Sequence, residues 1–253
     1  MDQYKNLRIY NLVMGVLHLM QAVLMFMLST DFALPVNTSF LEFDPTTLQL
    51  EPVLENVAQL QIASLVALFL FLSATAHFLL SAPGIYTWYI ANLKKGINYA
   101  RWYEYALSSS LMIVLIAMLV GIYDLGSLIL MFALNAMMIL FGLMMELHNQ
   151  STEKTNWTAY IYGCIAGAVP WVVIFIYLFG SGEGEYKAPD FVYYIFISIF
   201  IFFNTFALNM FLQYKKLGKW REYVFGEKMY ILLSLLAKSA LAWQIFGGTL
   251  RPV

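Results

Sequence analysis

A chain of 253 residues that is 61% hydrophobic and only 11% charged, with a formal net charge of −1, falls well short of the roughly 25% charged residues of a soluble domain. Together with a mean hydropathy of +0.71, this makes it a polytopic membrane protein, and its charge gives no reason to expect nucleic acid. One cysteine, Cys164, excludes an internal disulfide and reads as a small buried hydrophobe.

Seven apolar runs are long enough to cross a bilayer: about 7–28, 56–80, 98–122, 125–147, 157–179, 189–213 and 229–250. Each requires a helix, because open backbone is not tolerated in lipid. The expected fold is therefore an all-α membrane protein, a single seven-helix bundle. The opening MDQYKNLRIYNLVMGVLHLM lacks a small-residue cleavage site and reads as the first span, not a removed leader.

Between Ser29 and Glu55, two polar/apolar alternating stretches surround Asp44-Pro45. They predict a small β-hairpin in the first outer loop, acting as a lid or dimer contact or simply decorating the loop. Orientation follows from the basic residues. A cytoplasmic N-terminus collects Lys5, Arg8, Lys94, Lys95, Arg101, Lys154, Lys215, Lys216, Lys219, Arg221 and Lys228 inside and leaves Lys187 and Arg251 outside. Most acids do the reverse, Glu183 and Glu185 among those outside, and the C-terminus is expected to be extracellular.

The remaining basic residue, Lys238, lies inside the seventh span, ten residues past Lys228, hence roughly 15 Å deep. An ammonium there costs at least about 2.5–3.5 kcal/mol on the insertion scale, so it needs a partner. Lysine also has a distinctive chemistry: its neutral amine condenses with an aldehyde to a Schiff base. In the third span, Glu104 lies about 9–10 Å deep by helical rise. A carboxylate about 4 Å from the cation contributes up to about 4 kcal/mol at an effective dielectric near 20, comparable to the insertion cost. Pairing is thus favoured over a Glu104 that snorkels to the interface beside Arg101. Arg101 and Ser108 share a helical face with Glu104 and are placed to tune it. Ser234, one turn before the lysine, either contacts its nitrogen or bonds its own helix backbone.

His18 with Gln21, and His77 with Ser73, fall in the inner halves of the first two spans. They form a candidate polar pocket able to take a proton. Three or four metal ligands cannot be assembled. Glu146 and His148 end the fourth span, where Glu146 is either solvated or turned inward by register. Asn135 either bonds a neighbouring helix or lines a ligand pocket. Trp243, Phe246, Phe202, Phe203, Phe206, Met112 and Met138 are either ordinary packing or the walls of a slot for a long flat hydrocarbon. No phosphate loop, dinucleotide fingerprint, zinc-protease motif or nucleophile elbow occurs.

The stretches RWYEYALSSS and LLSLLAKSALAW, with a lysine in span seven and a carboxylate in span three, resemble the microbial-type rhodopsins. Ion-pumping members differ: they place an aspartate where Ser234 stands, a proton-donor carboxylate where Leu115 stands, and their N-terminus outside. The inverted topology, the single glutamate, the paired inner histidines and the long first outer loop are together similar to the heliorhodopsins, over the full chain. That resemblance implies all-trans retinal as a protonated Schiff base on Lys238, Glu104 as counterion, and Ser234 in contact with the nitrogen. It implies that His18, Gln21, Ser73, His77, Tyr89, Asn98, Arg101, Trp102 and Glu146 line or border a polar cavity on the cytoplasmic side. A homodimer in the lipid bilayer, a slow photocycle, no net ion pumping, no enzymatic activity and a signalling role with an unknown partner also follow from it. A light-driven pump or channel, or a chromophore-free transporter or receptor, are the competing readings.

Overall fold

The apolar runs become helices whose ends are set by capping groups and by the chain's own change of period. The computed structural model describes residues 4, 6–180, 182, 184 and 187–252; Lys5, Glu183 and Glu185, counted in the charge balance above, lie outside the described residues. In chain order the elements are α1 (Leu7–Leu28), β1 (Ala33–Asp44), β2 (Gln49–Gln61), α2 (Ile62–Ser81), α3 (Ile85–Leu93), α4 (Tyr99–Leu119), α5 (Leu125–His148), α6 (Thr158–Gly180), α7 (Asp190–Tyr214) and α8 (Tyr223–Ile245). A 3₁₀ turn, Gly218–Arg221, precedes α8, and a π-helical turn, Phe246–Leu250, extends it. Among the described residues, all of the helices except α3 are long and apolar enough to cross a membrane, seven in number.

Two helix starts show why the boundaries fall where they do. The Asn98 side chain accepts from the Arg101 backbone N–H (3.1 Å) and opens α4, and Asp124 accepts from the Ser127 backbone N–H (2.7 Å) and opens α5. Such caps satisfy donors that the first turn leaves free. The Ser127 amide also holds the Asp124 carboxyl below the usual carboxylate range. At the other end of a helix, α7 stops in a Schellman turn: Leu217 N–H bonds Leu212 C=O (3.1 Å) and Lys216 N–H bonds Gln213 C=O (3.2 Å). The left-handed position of that turn is held by Lys216, at φ 53°, where a side chain costs about 1–2 kcal/mol over glycine.

The structure differs from the expected spans in three places. The second span was expected from Asn56, but Gln49–Gln61 is a strand and α2 begins at Ile62. Its alternating apolar residues raise hydropathy as a helix would. The seventh begins at Tyr223, not Met229, because a helix can run on into the interface beyond its apolar window. Helix α3, nine residues long, lies in what read as a loop.

The hairpin is antiparallel, with a bulge between Val36 and Asn37, and its turn is closed by Leu48 N–H to Asp44 C=O (2.8 Å). The Asp44 carboxyl, held below its usual range by the Thr46 amide, caps the same turn. Directly paired residues share a face. Leu41, Phe43, Leu50, Pro52 and Leu54 therefore make one exposed apolar face, and Phe40, Glu42, Glu51, Val53 and Glu55 the other. The hairpin is tied to the bundle through Asn37 N–H to Tyr123 C=O (2.8 Å) and Thr30 N–H to Leu250 C=O (2.9 Å).

The spanning helices form a closed ring, α1–α2–α4–α5–α6–α7–α8 and back to α1. Of these, α4 is the most buried. Its half nearer the hairpin, including Met112, Ile113, Leu115, Ile116 and Met118, packs an apolar core with Leu241, Ala242 and Ile245 of α8. Lipid is as apolar as these side chains, so packing and internal polar links carry association there.

Candidate lysine and counterion site

The Lys238 ammonium, 3% exposed, makes three contacts: Glu104 Oε1 at 2.9 Å, Ser73 Oγ at 2.6 Å and Ser234 Oγ at 3.0 Å. An ammonium has three N–H donors, and all three have partners. The Ser73 hydroxyl in turn donates to Glu104 Oε1 (2.6 Å), so α2, α4 and α8 meet at one nitrogen. Tyr105 presents its ring face to the cation, 5.1 Å from Nζ. Ser73, expected only beside the histidines, stands directly against the amine.

An apolar slot leads away from Nζ. Two adjoining cavities share Tyr105, Met138, Ile139, Phe203 and Phe206 as walls. The first is also lined by Ser108, Met112, Ser234 and Lys238; the second reaches Gly142, Gly163 and Cys164 between α5 and α6. At Gly142 a Cβ would collide with the Trp102 ring, and at Gly163 it would crowd Phe141. Glycine is thus what lets the Trp102 ring and Phe141 pack close at this end. An amine at one end of a long aromatic-walled slot suits a tethered, flat, apolar group.

Of the expected wall residues, Met112, Met138, Phe203 and Phe206 line this slot, as does Ser108. Phe202, Asn135, Trp243 and Phe246 do not, Phe246 packing against the core of the hairpin half. Phe202, about 100° from Phe203 around α7 although only about 40° from Phe206, packs against the same core and is not among the residues lining the slot. Asn135 donates to Ser109 Oγ (2.9 Å) and Ser110 Oγ (3.1 Å), joining α5 to α4. Trp243, five residues past Lys238 and so about 140° around the helix, is 40% exposed and donates to Gln21 Oε1 (3.1 Å).

On the other side of Glu104, toward the end of the bundle that carries the N-terminus, a small polar cavity is lined by Ser73, His77, Tyr89, Asn98, Arg101 and Glu104, with Asn11. His77 Nδ1 is 2.8 Å from Asn11 Oδ1. His18 stacks on His77 at 5.6 Å, and both its ring nitrogens are buried without a hydrogen-bond partner among the described residues. Gln21 is a correction: the buried stripe of α1 runs Asn11, Met14, His18, Ala22 and Met25, which turns Gln21 outward to Trp243.

Arg101 does not face Glu104. Its guanidinium turns toward the N-terminal end and pairs with Glu146 (2.5 Å) and with Glu227, all three buried. It lies 4.2 Å from the Trp102 ring centre and 4.0 Å from that of Tyr230. Trp102 Nε1–H (2.6 Å), Asn98 N–H (3.0 Å) and Tyr223 O–H (3.0 Å) also donate to Glu146, and Asn98 Nδ2–H donates to Glu227 (2.7 Å). Glu146, with a solvated helix end as one expectation, is 2% exposed. Sequence reasoning missed Glu227. It precedes the apolar window, yet eleven residues before Lys238 puts it within about 20° of the same helical face.

A family model described as Heliorhodopsin matches residues 7–250. No curated protein matches the chain in sequence. Among solved structures, the crystal structure of a light-driven proton pump LR (Mac) from Leptosphaeria maculans is similar in fold, with a TM-score of 0.67. It is 14% identical and is matched over 98% of this chain and 96% of that one. At that identity the likeness speaks to the fold alone.

Proposed function

Because the chain belongs to the heliorhodopsin family, and so is a light-sensing retinal protein with a rhodopsin fold, we propose that it is a photosensory rhodopsin with a slow photocycle and no net ion transport, with Lys238 as the attachment residue and Glu104 as counterion. The observation that carries this reading is the 2.9 Å pair between Lys238 Nζ and Glu104 Oε1 at the mouth of the apolar slot. When bound, all-trans retinal supplies the visible chromophore and its light-driven isomerisation.

The chain's own residues do the rest. Met112, Met138, Phe203 and Phe206 exclude water from the slot and fix its axis. Glu104 holds a negative charge against the nitrogen, while Ser73 and Ser234 offer oxygens beside it. A proton released from the nitrogen meets a polar cavity toward the N-terminal end, where His77 lines it beside His18. In the other direction, Leu115, Ile116, Leu241 and Ala242 close the path with hydrocarbon. The proton returns as it left, and no charge crosses. The lasting change is then one of helix packing, which a partner can read.

The positive-inside distribution supports a cytoplasmic N-terminus and extracellular C-terminus; a C-terminal epitope labelled on intact cells checks it. The exposed apolar face of the hairpin supports a homodimer, and Leu41→Glu is expected to yield monomers on gel filtration. The central test is Lys238→Ala, which should leave helix content intact and abolish visible absorbance after retinal is supplied. Retained colour would sink the attachment residue. A light-induced, protonophore-sensitive pH change in cell suspensions would instead establish a pump.

A further inference from the structure

At the N-terminal end of the bundle, the turns after α3, α5 and α7 and the start of α8 leave an open cleft. Its walls hold three cations from separate segments: Lys95 after α3, Lys216 after α7, and Arg221 in the 3₁₀ turn. Among the described residues, none of these three has a carboxylate within 4.0 Å. The acids of the same walls are Glu153 and, at the floor, Glu146. Glu146 is already committed to Arg101, Trp102 and Tyr223. The uncommitted charge is therefore positive.

Lys216 adds an independent observation. It occupies the left-handed position of the α7 ending, at φ 53°, where glycine is the unstrained choice. The helix end does not need its charge. Lys215, next to it, already supplies a cation at the α7 terminus, and its ammonium lies over the Trp157 ring at 5.4 Å. That position sets the Lys216 side chain on the cleft wall, where Lys95 and Arg221 are the other two cations.

We propose that this cleft binds a phosphate-bearing polyanion, with its oxygens shared among Lys95, Lys216 and Arg221. A guanidinium forks onto two phosphate oxygens and ammonium groups act as point charges beside it, so this trio suits phosphate better than a single carboxylate. The cleft does not depend on the photosensory reading. It does border it, since the floor residue Glu146 is the ion partner of Arg101, three residues before Glu104 on α4.

The test uses the full chain, loaded with retinal, in nanodiscs of zwitterionic lipid, titrated with inorganic pyrophosphate in a calorimeter. Heat is the readout, so a colourless protein would fault the retinal reading without touching this one. Binding that weakens with salt is expected. Lys216→Gly should weaken it about tenfold, the loss of one charge-assisted contact, while the thermal midpoint holds or rises as strain is relieved. Lys215→Gln should leave affinity within about twofold, its charge being screened, and Arg221→Gln should repeat the Lys216 loss. A second arm places the same variants in nanodiscs containing phosphatidic acid. If the lipid headgroup is the natural occupant, the acidic lipid should compete with pyrophosphate in a Lys216-dependent way; if a soluble phosphate compound is, pyrophosphate affinity should be unchanged by it. No binding in either arm, or equal losses for Lys215→Gln and Lys216→Gly, overturns the proposal.

Discussion

Arg101 and Glu104 stand three residues apart on α4, and each anchors a buried ion network of a different make. Around Arg101, one permanently charged guanidinium serves two carboxylates, and the indole, amide and phenol donors of Trp102, Asn98 and Tyr223 fill the remaining acceptor sites. Around Lys238, one exchangeable amine meets one carboxylate and two hydroxyls. The first arrangement joins α4, α5 and α8 and gives every carboxylate oxygen of Glu146 and Glu227 a donor, with only the Arg101 Nε–H left without a partner among the described residues; the guanidinium cannot be removed without stranding both acids. The second has a nitrogen that can be chemically modified and hydroxyls that can switch between donor and acceptor. A fixed charge serves to hold helices, and a lysine serves where a bond or a proton must come and go.

The contrast can be broken by experiment. The largest effect is expected from Arg101→Ala, which strands two buried carboxylates and should destabilise the protein by about 3–5 kcal/mol. Its thermal midpoint should fall further than that of any Lys238 or Glu104 variant. A smaller loss would mean that the Arg101 network is not what holds the helices. Next comes Glu104→Gln, which keeps the shape but removes the charge beside Nζ. Its visible maximum should move, because a nearby carboxylate stabilises a localised positive charge in the ground state more than a dispersed one; an unmoved spectrum would strip Glu104 of its role.

Ser73→Ala removes a hydroxyl that both accepts from the amine and donates to Glu104. It should cost about 1–3 kcal/mol, measured by thermal melts, and exceed Ser234→Ala, whose hydroxyl has the longer contact of 3.0 Å. Equal effects would reduce Ser73 to a spacer. The smallest change calibrates the rest. Asp124→Ala, at the far end of α5, removes a cap worth about 1 kcal/mol and should not affect colour. Because the Ser127 amide depresses the folded Asp124 pKa, the cap's contribution is full above the unfolded carboxylate pKa. It is lost as pH falls through the folded value, so the wild-type and variant melts should converge in acid.

Composition and the spacing of apolar residues were enough for the membrane class, the helical spans and a two-stranded excursion around Asp44-Pro45. Each of these follows from a cost that must be met along the chain, whatever lies beside it: unsatisfied backbone in lipid, or alternation at a hydrated edge. The nearness of Glu104 to Lys238 was readable on the same grounds, since a buried ammonium demands an anion at a similar depth. What the chain alone could not decide was direction around each helix axis. That is why Trp243 and Gln21 meet outside the slot, why Phe203 and not Phe202 lines it, and why Arg101 turns from Glu104 to Glu146 and to an unsuspected Glu227. The depth of a residue is counted in one dimension, from the ends of its span. Which neighbour it faces depends on how seven helices close into a ring, and only the packed bundle decides that.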